Sequence, residues 1–569
     1  MSQFASLSEN LSRLLRTVYT AEDESILVNK IVERLSNSPL LYQPKRDLSA
    51  ADIMFITYGD AFTESGQPPL QTLQQFLDTW MSGLTSTVHI LPFFPYTSDD
   101  GFAVSDYRSV DPNLGDWSHV EKIKERFGLM FDLVINHASQ SHHLFKQFLN
   151  NEPPGNRFFT TAPATADVSQ VTRPRTSDLL QAFRTNSGIQ HVWCTFSRDQ
   201  VDWDFKNPDV LFEFIDILAT YIEKGADWIR LDAIAYLWKE LGSVCIHLEP
   251  THTLVKVFRL IAEQLNPNAK ILTETNVPNQ ENLSYFGDGD EAHVIYNFSL
   301  PPLVVHALLT GNSTWLSQWC KSLPILPPGC TYLNFTASHD GVGMRPAEGL
   351  IPDEELKQVF ATLKEAGGLL TYRKRSDGSE SPYEVNISLY DAFQGTVKGK
   401  DAWQNQRFIC SQAIMLSLAG VPAIYYNSIL STPNHHEGVA KTKHNRTINR
   451  RKWTLAEASA RLQDPQHDAH KVFTTLQKII TKRRQVSAFS PQAEQSCIAV
   501  DKRIFAVKRR SQQTGEQVLC LFNLSDESIT IDREKFGLSP DKRYLEIISE
   551  KMTAVMTLAP YAVSWLAIR

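Results

Sequence analysis

The sequence predicts an α/β fold: a closed (β/α)8 barrel with a small inserted domain after its third strand and a separate antiparallel β domain at the C-terminus. Three observations carry that reading. Eight short apolar, β-rich runs recur along the chain, and helical patterns fill most of the gaps between them. The runs are apolar almost throughout rather than alternating, as in strands covered on both faces. After about residue 485 the helical patterns stop, and short strand-like runs follow one another between polar turns.

The elements follow in order. Residues 1–50 form a helical extension, with apolar residues at helical spacing in LSRLLRTVYT and ILVNKIVERL. The barrel occupies 51–484. Its strands are DIMFITY (52–58), STVHILPFF (86–94), LMFDLVIN (129–136), DWIRL (227–231), KILTETN (270–276), HVIYNF (293–298), TYLNFTA (331–337) and PAIYYNS (422–428). LFEFIDILATYIEKG and THTLVKVFRLIAEQLN are among the intervening helices. The inserted domain spans about 138–226. In 485–569, SCIAVDKRIFAVKRR, QVLCLFNLSD, SITIDR and MTLAPYAVSWLAIR read as antiparallel strands. The architecture is that of a TIM barrel with appendages.

Composition narrows the function classes. The chain has 569 residues, 42% hydrophobic and 21% charged, which is ordinary for a globular protein. A net charge of −7 gives no reason to expect nucleic acid or an anionic membrane as partner. No window approaches twenty apolar residues, and the N-terminus lacks the apolar core of a signal peptide, so a cytoplasmic protein is expected. The seven cysteines stand far apart without a CxxC pair, which argues against a disulfide framework or a zinc site. One basic run, KTKHNRTINRRKW (441–453), reads by composition as solvated surface. No glycine-rich nucleotide loop appears.

In such a barrel, reactive groups lie at the C-terminal ends of strands. Those ends hold polar residues that strand propensity would not choose. Asp99 and Asp100 follow the second strand, Asn136 and His137 the third, Asp232 the fourth, Glu274 the fifth, and His339 and Asp340 the seventh. Arg230, two residues before Asp232, can hold that acid ionised. Carboxylates facing one pocket suit glycosidic chemistry: one attacks the anomeric carbon, another protonates the leaving oxygen and later deprotonates the acceptor.

DLVINH (132–137), IRLDAIAY (229–236), ETN (274–276) and ASHD (337–340) resemble the four short motifs of the α-amylase superfamily. HILPFFPYTSDDGF, VTRPR, FSRDQVDWD, SLPPLVVHAL, SHDGVG, SPYEVN and INRRKW resemble the sucrose phosphorylase subgroup, and within it the longer glucosylglycerate phosphorylase type. The resemblance implies roles. Asp232 is the nucleophile, Glu274 the general acid/base, and Asp340 the carboxylate that steadies the transition state. Asp99 and Arg450 grip the distal glucose hydroxyls. Arg230, His339 and Gln200 hydrogen-bond in the same subsite, Phe102 and Phe196 wall it, and Tyr236 joins the substrate-binding set. Arg175 is the acceptor-side cation that a phosphate dianion needs in an acidic pocket, with Tyr383 beside it.

The sequence also departs from the subgroup. Tyr107 follows Asp106 where a histidine is frequent, and a tyrosine there can stack or donate a hydrogen bond. In the acceptor loops, about 341–400, Ser381 replaces an acid that helps hold fructose, and Glu384 replaces a glutamine. Arg345 and the run Arg373-Lys374-Arg375, on a long loop, are candidates to meet an anionic acceptor; a solvated loop is the other reading of the run.

The reaction implied is therefore retaining phosphorolysis of 2-O-α-glucosylglycerate to α-glucose 1-phosphate and glycerate, with fructose, fructose 6-phosphate and glycerol as other acceptors. These correspond to sucrose, sucrose 6′-phosphate or glucosylglycerol phosphorylase. A retaining hydrolase or transglucosylase on the same barrel is the alternative class; a scaffold lacking activity should have lost one of the three carboxylates. The expected partners are the glucoside, inorganic phosphate and glucose 1-phosphate. No cofactor and no metal are expected, and the chain is a monomer or homodimer.

Overall fold

The computed structural model describes residues 2–39, 44–374, 380–554 and 557–568. Eight parallel strands close a barrel: β1 (Met54–Thr57), β2 (Thr87–Ile90), β3 (Gly128–Val134), β4 (Ala226–Asp232), β5 (Lys270–Thr273), β6 (Val294–Tyr296), β7 (Thr331–Phe335) and β8 (Val421–Tyr425). Each strand pairs with its neighbours in sequence, and β1 closes the ring against β8 through Met54↔Ala423 and Ile56↔Tyr425. Every predicted run contributes one of these strands. They are buried on both faces, inward by the barrel packing and outward by helices, which is why their sequences show no alternation.

Two N-terminal helices, α1 (Ser2–Leu15) and α2 (Ala21–Ser36), dock on the outside of the barrel. Leu27, Val28, Ile31 and Leu35 of α2 lie on one face, as their spacing requires, and are buried. Thr20 caps α2 by accepting from the N–H of Asp23. Tyr19 donates to the carbonyl of Phe205 at 2.7 Å, and Lys30 and Arg34 pair with Asp209 and Glu223 at either end of the barrel helix Pro208–Glu223. That helix lies within the span expected as an insertion. Before it, short paired strands at His137–Ser139 and Gln200–Asp202, the helix His143–Asn150 and the hairpin Leu180–Thr185/Gly188–Trp193 stand over the barrel mouth.

The expected long loop at 371–384 is instead mostly a β-hairpin. Leu369–Lys374 pairs antiparallel with Glu380–Asn386, and Val342–Gly343 adds a third strand through Val342↔Val385 and Gly343↔Glu384. Arg375 lies outside the described residues.

The C-terminal part forms a six-stranded antiparallel sheet. Alternation is explicit here. Phe505 and Val507 turn to the main core, while Ile504 and Ala506 build a second core under the outer face. Arg509, buried, donates to the carbonyls of Ser417 and Ser490 at 2.8 Å and ties the sheet to the barrel. All seven cysteines are free. Among the described residues, no helix is long and apolar enough to cross a membrane, and no group of three or more His, Cys, Asp or Glu is placed to hold a metal ion.

Candidate active site

The site begins with strand geometry. Residues two apart on a strand share a face, so Arg230 and Asp232 both point inward from β4. The register sets Asp132 of β3 beside Arg230. The Arg230 guanidinium donates to Asp132 and, at 2.7 Å, to Asp232 Oδ1. His89 of β2 contacts the other oxygen of Asp132 at 2.6 Å. All four side chains are buried. Burial disfavours the Asp132 anion, yet Arg230 and His89 outweigh it and hold that carboxyl below its ordinary range. Burial holds His89 neutral.

Asp232 differs from the expectation that Arg230 keeps it readily ionised. Burial outweighs the arginine, and its carboxyl is pushed up. Asp232 Oδ2 meets no protein hydrogen-bond donor among the described residues and is free to react. The next residue, Ala233, adopts the left-handed region at φ 52°. A non-glycine residue there costs on the order of 1 kcal/mol. The turn presents the Ala233 N–H to Glu274 Oε2 at 2.9 Å. Glu274 follows β5 directly and is raised to about 7, first by burial and then by the charges of Asp232 and Asp340, against the pull of Arg230. It therefore holds a proton near neutral pH.

Asp340 stands across the mouth. Arg446 Nη1 lies 2.6 Å from its Oδ1, and His339 Nε2 3.5 Å. Arg446 is itself gripped by Glu384, which accepts from Nε at 3.1 Å and Nη2 at 2.8 Å. Glu384 also accepts from the Gly341 N–H at 2.6 Å. That close approach leaves no room for a side chain at 341: a Cβ there would stand 2.6 Å from Glu384 Oε1. Glu384 thus does not face the pocket as a substrate ligand. Its oxygens are engaged in positioning Arg446, a residue of the basic run that composition had assigned to solvent.

The distal wall is built by a tight turn in which Asp99 and Asp100 both take left-handed φ, 55° and 49°. The turn fans two carboxylates around Arg450. The closer partner is Asp100, at 2.7 Å, with Asp99 at 3.9 Å, so the expected Asp99–Arg450 pair is really a trio. Arg450 also donates to the His339 carbonyl at 2.8 Å. Gln200 Nε2 lies 3.3 Å from Asp99 Oδ2. Phe102 stacks on His339 with ring centres 4.8 Å apart. Burial, followed by Arg450 and Arg230, keeps His339 neutral. Tyr107 is not a pocket residue: its hydroxyl is buried and donates to the carbonyls of Val134 and His137.

On the remaining side, Arg175 sits between the rings of Phe196 and Tyr383, 5.8 Å from each centre. Phe196 meets Tyr236 edge-on at 5.7 Å. Arg345 is 9% exposed, and among the described residues its nearest acid is Glu281, at 4.0 Å. Arg373 pairs with Glu348 at 2.6 Å. The three expected carboxylates, the residues expected around the glucose, and Arg175, Tyr236, Tyr383 and Arg345 therefore converge on one mouth. Sequence reasoning missed the roles of His89, Asp132 and Arg446. The signal for the first two was a polar side chain inside an apolar strand.

Residues 76–318 match the family model described as the α-amylase catalytic domain. The chain is 44% identical over 516 residues to a glucosylglycerate phosphorylase of Spirochaeta thermophila, covering 90% of this chain and 87% of that protein. It is 37% identical to a glucosylglycerate phosphorylase of Escherichia coli, covering 98% of this chain and 100% of that one. Among solved structures, sucrose 6F-phosphate phosphorylase from Thermoanaerobacter thermosaccharolyticum superposes with a TM-score of 0.72 at 25% identity, covering 83% of this chain and 94% of that chain.

Proposed function

The chain belongs to the α-amylase family, in its sucrose phosphorylase subgroup beside the glucosylglycerate phosphorylases, and from that premise we propose the reaction it catalyses. It is a retaining glycoside phosphorylase. It transfers an α-glucosyl unit from 2-O-α-glucosylglycerate to phosphate, giving α-glucose 1-phosphate and glycerate. The observation that carries this reading is near full-length identity of 37–44% to two glucosylglycerate phosphorylases.

The site residues support a double displacement. Asp232 Oδ2 attacks the anomeric carbon as the bond to the glycerate oxygen breaks. Glu274 gives its proton to that oxygen. A β-glucosyl ester forms, and glycerate leaves. Phosphate then attacks the same carbon, the ester bond breaks, and Glu274 takes the phosphate's proton. Two inversions restore the α configuration. The division of labour follows from the hydrogen bonds. Two buried carboxyls share a strongly disfavoured pair of charges. Arg230 donates to Asp232 and not to Glu274, so the charge settles on Asp232 and the proton on Glu274. Asp340, His339, Asp99, Gln200 and Arg450 hold the glucose hydroxyls. Arg175, held by aromatic rings with no carboxylate within 4 Å among the described residues, offers its charge to phosphate. A cytoplasmic location and a monomeric or homodimeric state belong to the same proposal.

The test runs in the synthetic direction. Purified protein receives α-glucose 1-phosphate with glycerate, glycerol, fructose or fructose 6-phosphate, and phosphate release is followed. Fast release with glycerate is expected. Release with another acceptor reassigns the substrate, and glucose accumulating without any acceptor makes the protein a hydrolase.

A further inference from the structure

Arg345 is unusually placed for a charged side chain. It is 9% exposed, its Nε is buried without a hydrogen-bond partner, and its nearest acid among the described residues, Glu281, is 4.0 Å from Nη2, beyond hydrogen-bond reach. A buried guanidinium normally meets a carboxylate or several carbonyls, because an unpaired one is costly. Glu281 cannot simply swing closer. His247 Nε2 holds its Oε2 at 3.0 Å, and His247 is fixed through Nδ1 by the Tyr285 hydroxyl at 2.8 Å. His247 occupies the left-handed region, at φ 56°, so the loop that carries it is set in an uncommon conformation. The arrangement keeps a counter-charge nearby while leaving the guanidinium without a hydrogen-bond partner among the described residues.

The position of Arg345 relative to the chemistry is fixed by its neighbours. The N–H of Met344 donates to the carbonyl of Tyr383 at 2.9 Å. Gly343 lies against Asn276, two residues beyond Glu274; a Cβ at 343 would stand 2.8 Å from Asn276 Oδ1. That Oδ1 is itself buried and without a partner. The charges of Arg345, Glu274 and Arg175 all act on the hydroxyl of Tyr236. Arg345 therefore belongs to the half of the pocket into which Glu274 delivers its proton.

We infer that Arg345 reads the carboxylate of the acceptor through its guanidinium, with the Asn276 amide on the same side for an acceptor hydroxyl. This rests on the glycerate reading above and assigns it a residue. A guanidinium fork matches a carboxylate in two parallel hydrogen bonds. Arg175 fits that task less well, since its guanidinium lies between two aromatic rings. Neutral acceptors of the same size leave the Arg345 donors unmet, so the residue selects by penalty as well as by attraction.

The experiment compares kcat/KM for glycerate with kcat/KM for glycerol, using α-glucose 1-phosphate as donor. If the unmodified protein does not use glycerate, the functional reading fails before Arg345 is tested. If it does, Arg345→Gln lowers the glycerate-to-glycerol ratio by about 10- to 100-fold, and Arg345→Lys lowers it less. A ratio taken within one variant is independent of how much of it is folded. Glycerate methyl ester, tried on the unmodified protein, is expected to lose a similar factor, and this arm decides should Arg345→Gln not fold. An unchanged ratio in the variant, or an ester accepted as well as glycerate, overturns the inference.

Discussion

Glu274→Gln separates the two consequences of a carboxyl held neutral by its surroundings. The substitution keeps the shape and an acceptor oxygen for the Ala233 N–H, and removes the proton and the charge. The folded protein raises this carboxyl from 4.5 to about 7. A group whose folded value is raised contributes stability that is complete below its unfolded value and is lost as pH rises through the folded one. At pH 8 the unsubstituted protein has therefore lost that contribution, about 3 kcal/mol at 1.36 kcal/mol per pH unit. Glutamine is never charged and escapes the loss. At about 2.1 cal/mol/K per residue, a chain of 569 residues unfolds with an entropy of roughly 1.2 kcal/mol/K. The variant should thus melt about 2–3 °C above the parent at pH 8, and the difference should shrink towards pH 4.5. Glucosyl transfer from glucosylglycerate should collapse, because the leaving oxygen no longer receives a proton. Transfer from α-glucosyl fluoride, whose leaving group needs no proton, should survive in its first step. Melting curves at both pH values and the two donors form the assay. A melting difference that is the same at pH 8 and pH 4.5 would refute the electrostatic reasoning, and equal losses with both donors would remove Glu274 from the acid role.

Further outcomes follow from the same geometry. In the unsubstituted protein, kcat/KM for glucosylglycerate should fall with rising pH above about 7, approaching tenfold per unit as Glu274 loses its proton; a profile flat to pH 9 would contradict that assignment. Asp232→Asn should abolish transfer while circular dichroism shows an intact fold, and substantial turnover would exclude Asp232 as nucleophile. Arg175→Ala should reduce the phosphate-dependent rate about 10- to 100-fold more than slow hydrolysis; equal losses would make Arg175 structural. Asp132→Asn leaves the buried Arg230 with one carboxylate fewer and should destabilise the fold by about 3–5 kcal/mol, read as a lowered denaturation midpoint.

The barrel was legible because its strands are short and apolar on both faces, and because helices of ordinary length separate them. Asp232, Glu274 and Asp340 were legible as polar exceptions at the ends of such strands. What escaped was pairing across the chain. Arg446 stands in a run of like charges, and only the fold brings Glu384 and Asp340 to it. Asp100 was visible as the neighbour of Asp99, but that both face Arg450 depends on two successive left-handed residues, which no periodicity encodes. The pairing of Leu369–Lys374 with Glu380–Asn386 was hidden because the polar sequence RKRSDGSE reads as a loop, so neither period nor hydropathy marks the strand ends. His89 and Asp132 carried a signal that physics makes strong: an ionisable group inside an apolar strand must find a partner. Each is the other's partner, and Arg230 connects them to the site.

The distribution of charge around the pocket bears on why this barrel passes glucose to an anion. On the side proposed for glucose every arginine is committed to acids. Arg230 holds Asp132 and Asp232, Arg446 holds Asp340 and Glu384, and Arg450 holds Asp100 with Asp99 nearby. That half sets six carboxylates against three arginines, so its cations are all taken up and none is left for an anion, as suits a neutral sugar bound by hydroxyls. On the side proposed for the acceptor two arginines, Arg175 and Arg345, have no carboxylate within hydrogen-bond distance among the described residues. Water or a neutral sugar as second nucleophile would need no such surplus, and two uncommitted cations beside a buried acid raise the local potential for any anion that arrives. In the proposed reaction phosphate and glycerate both carry negative charge and take the same place in turn, one to accept the glucosyl unit and the other to leave with the Glu274 proton. A pocket whose arginines are taken up by acids where the proposed sugar site lies, and left uncommitted where the proposed anions exchange, favours phosphorolysis of an acidic glucoside over hydrolysis.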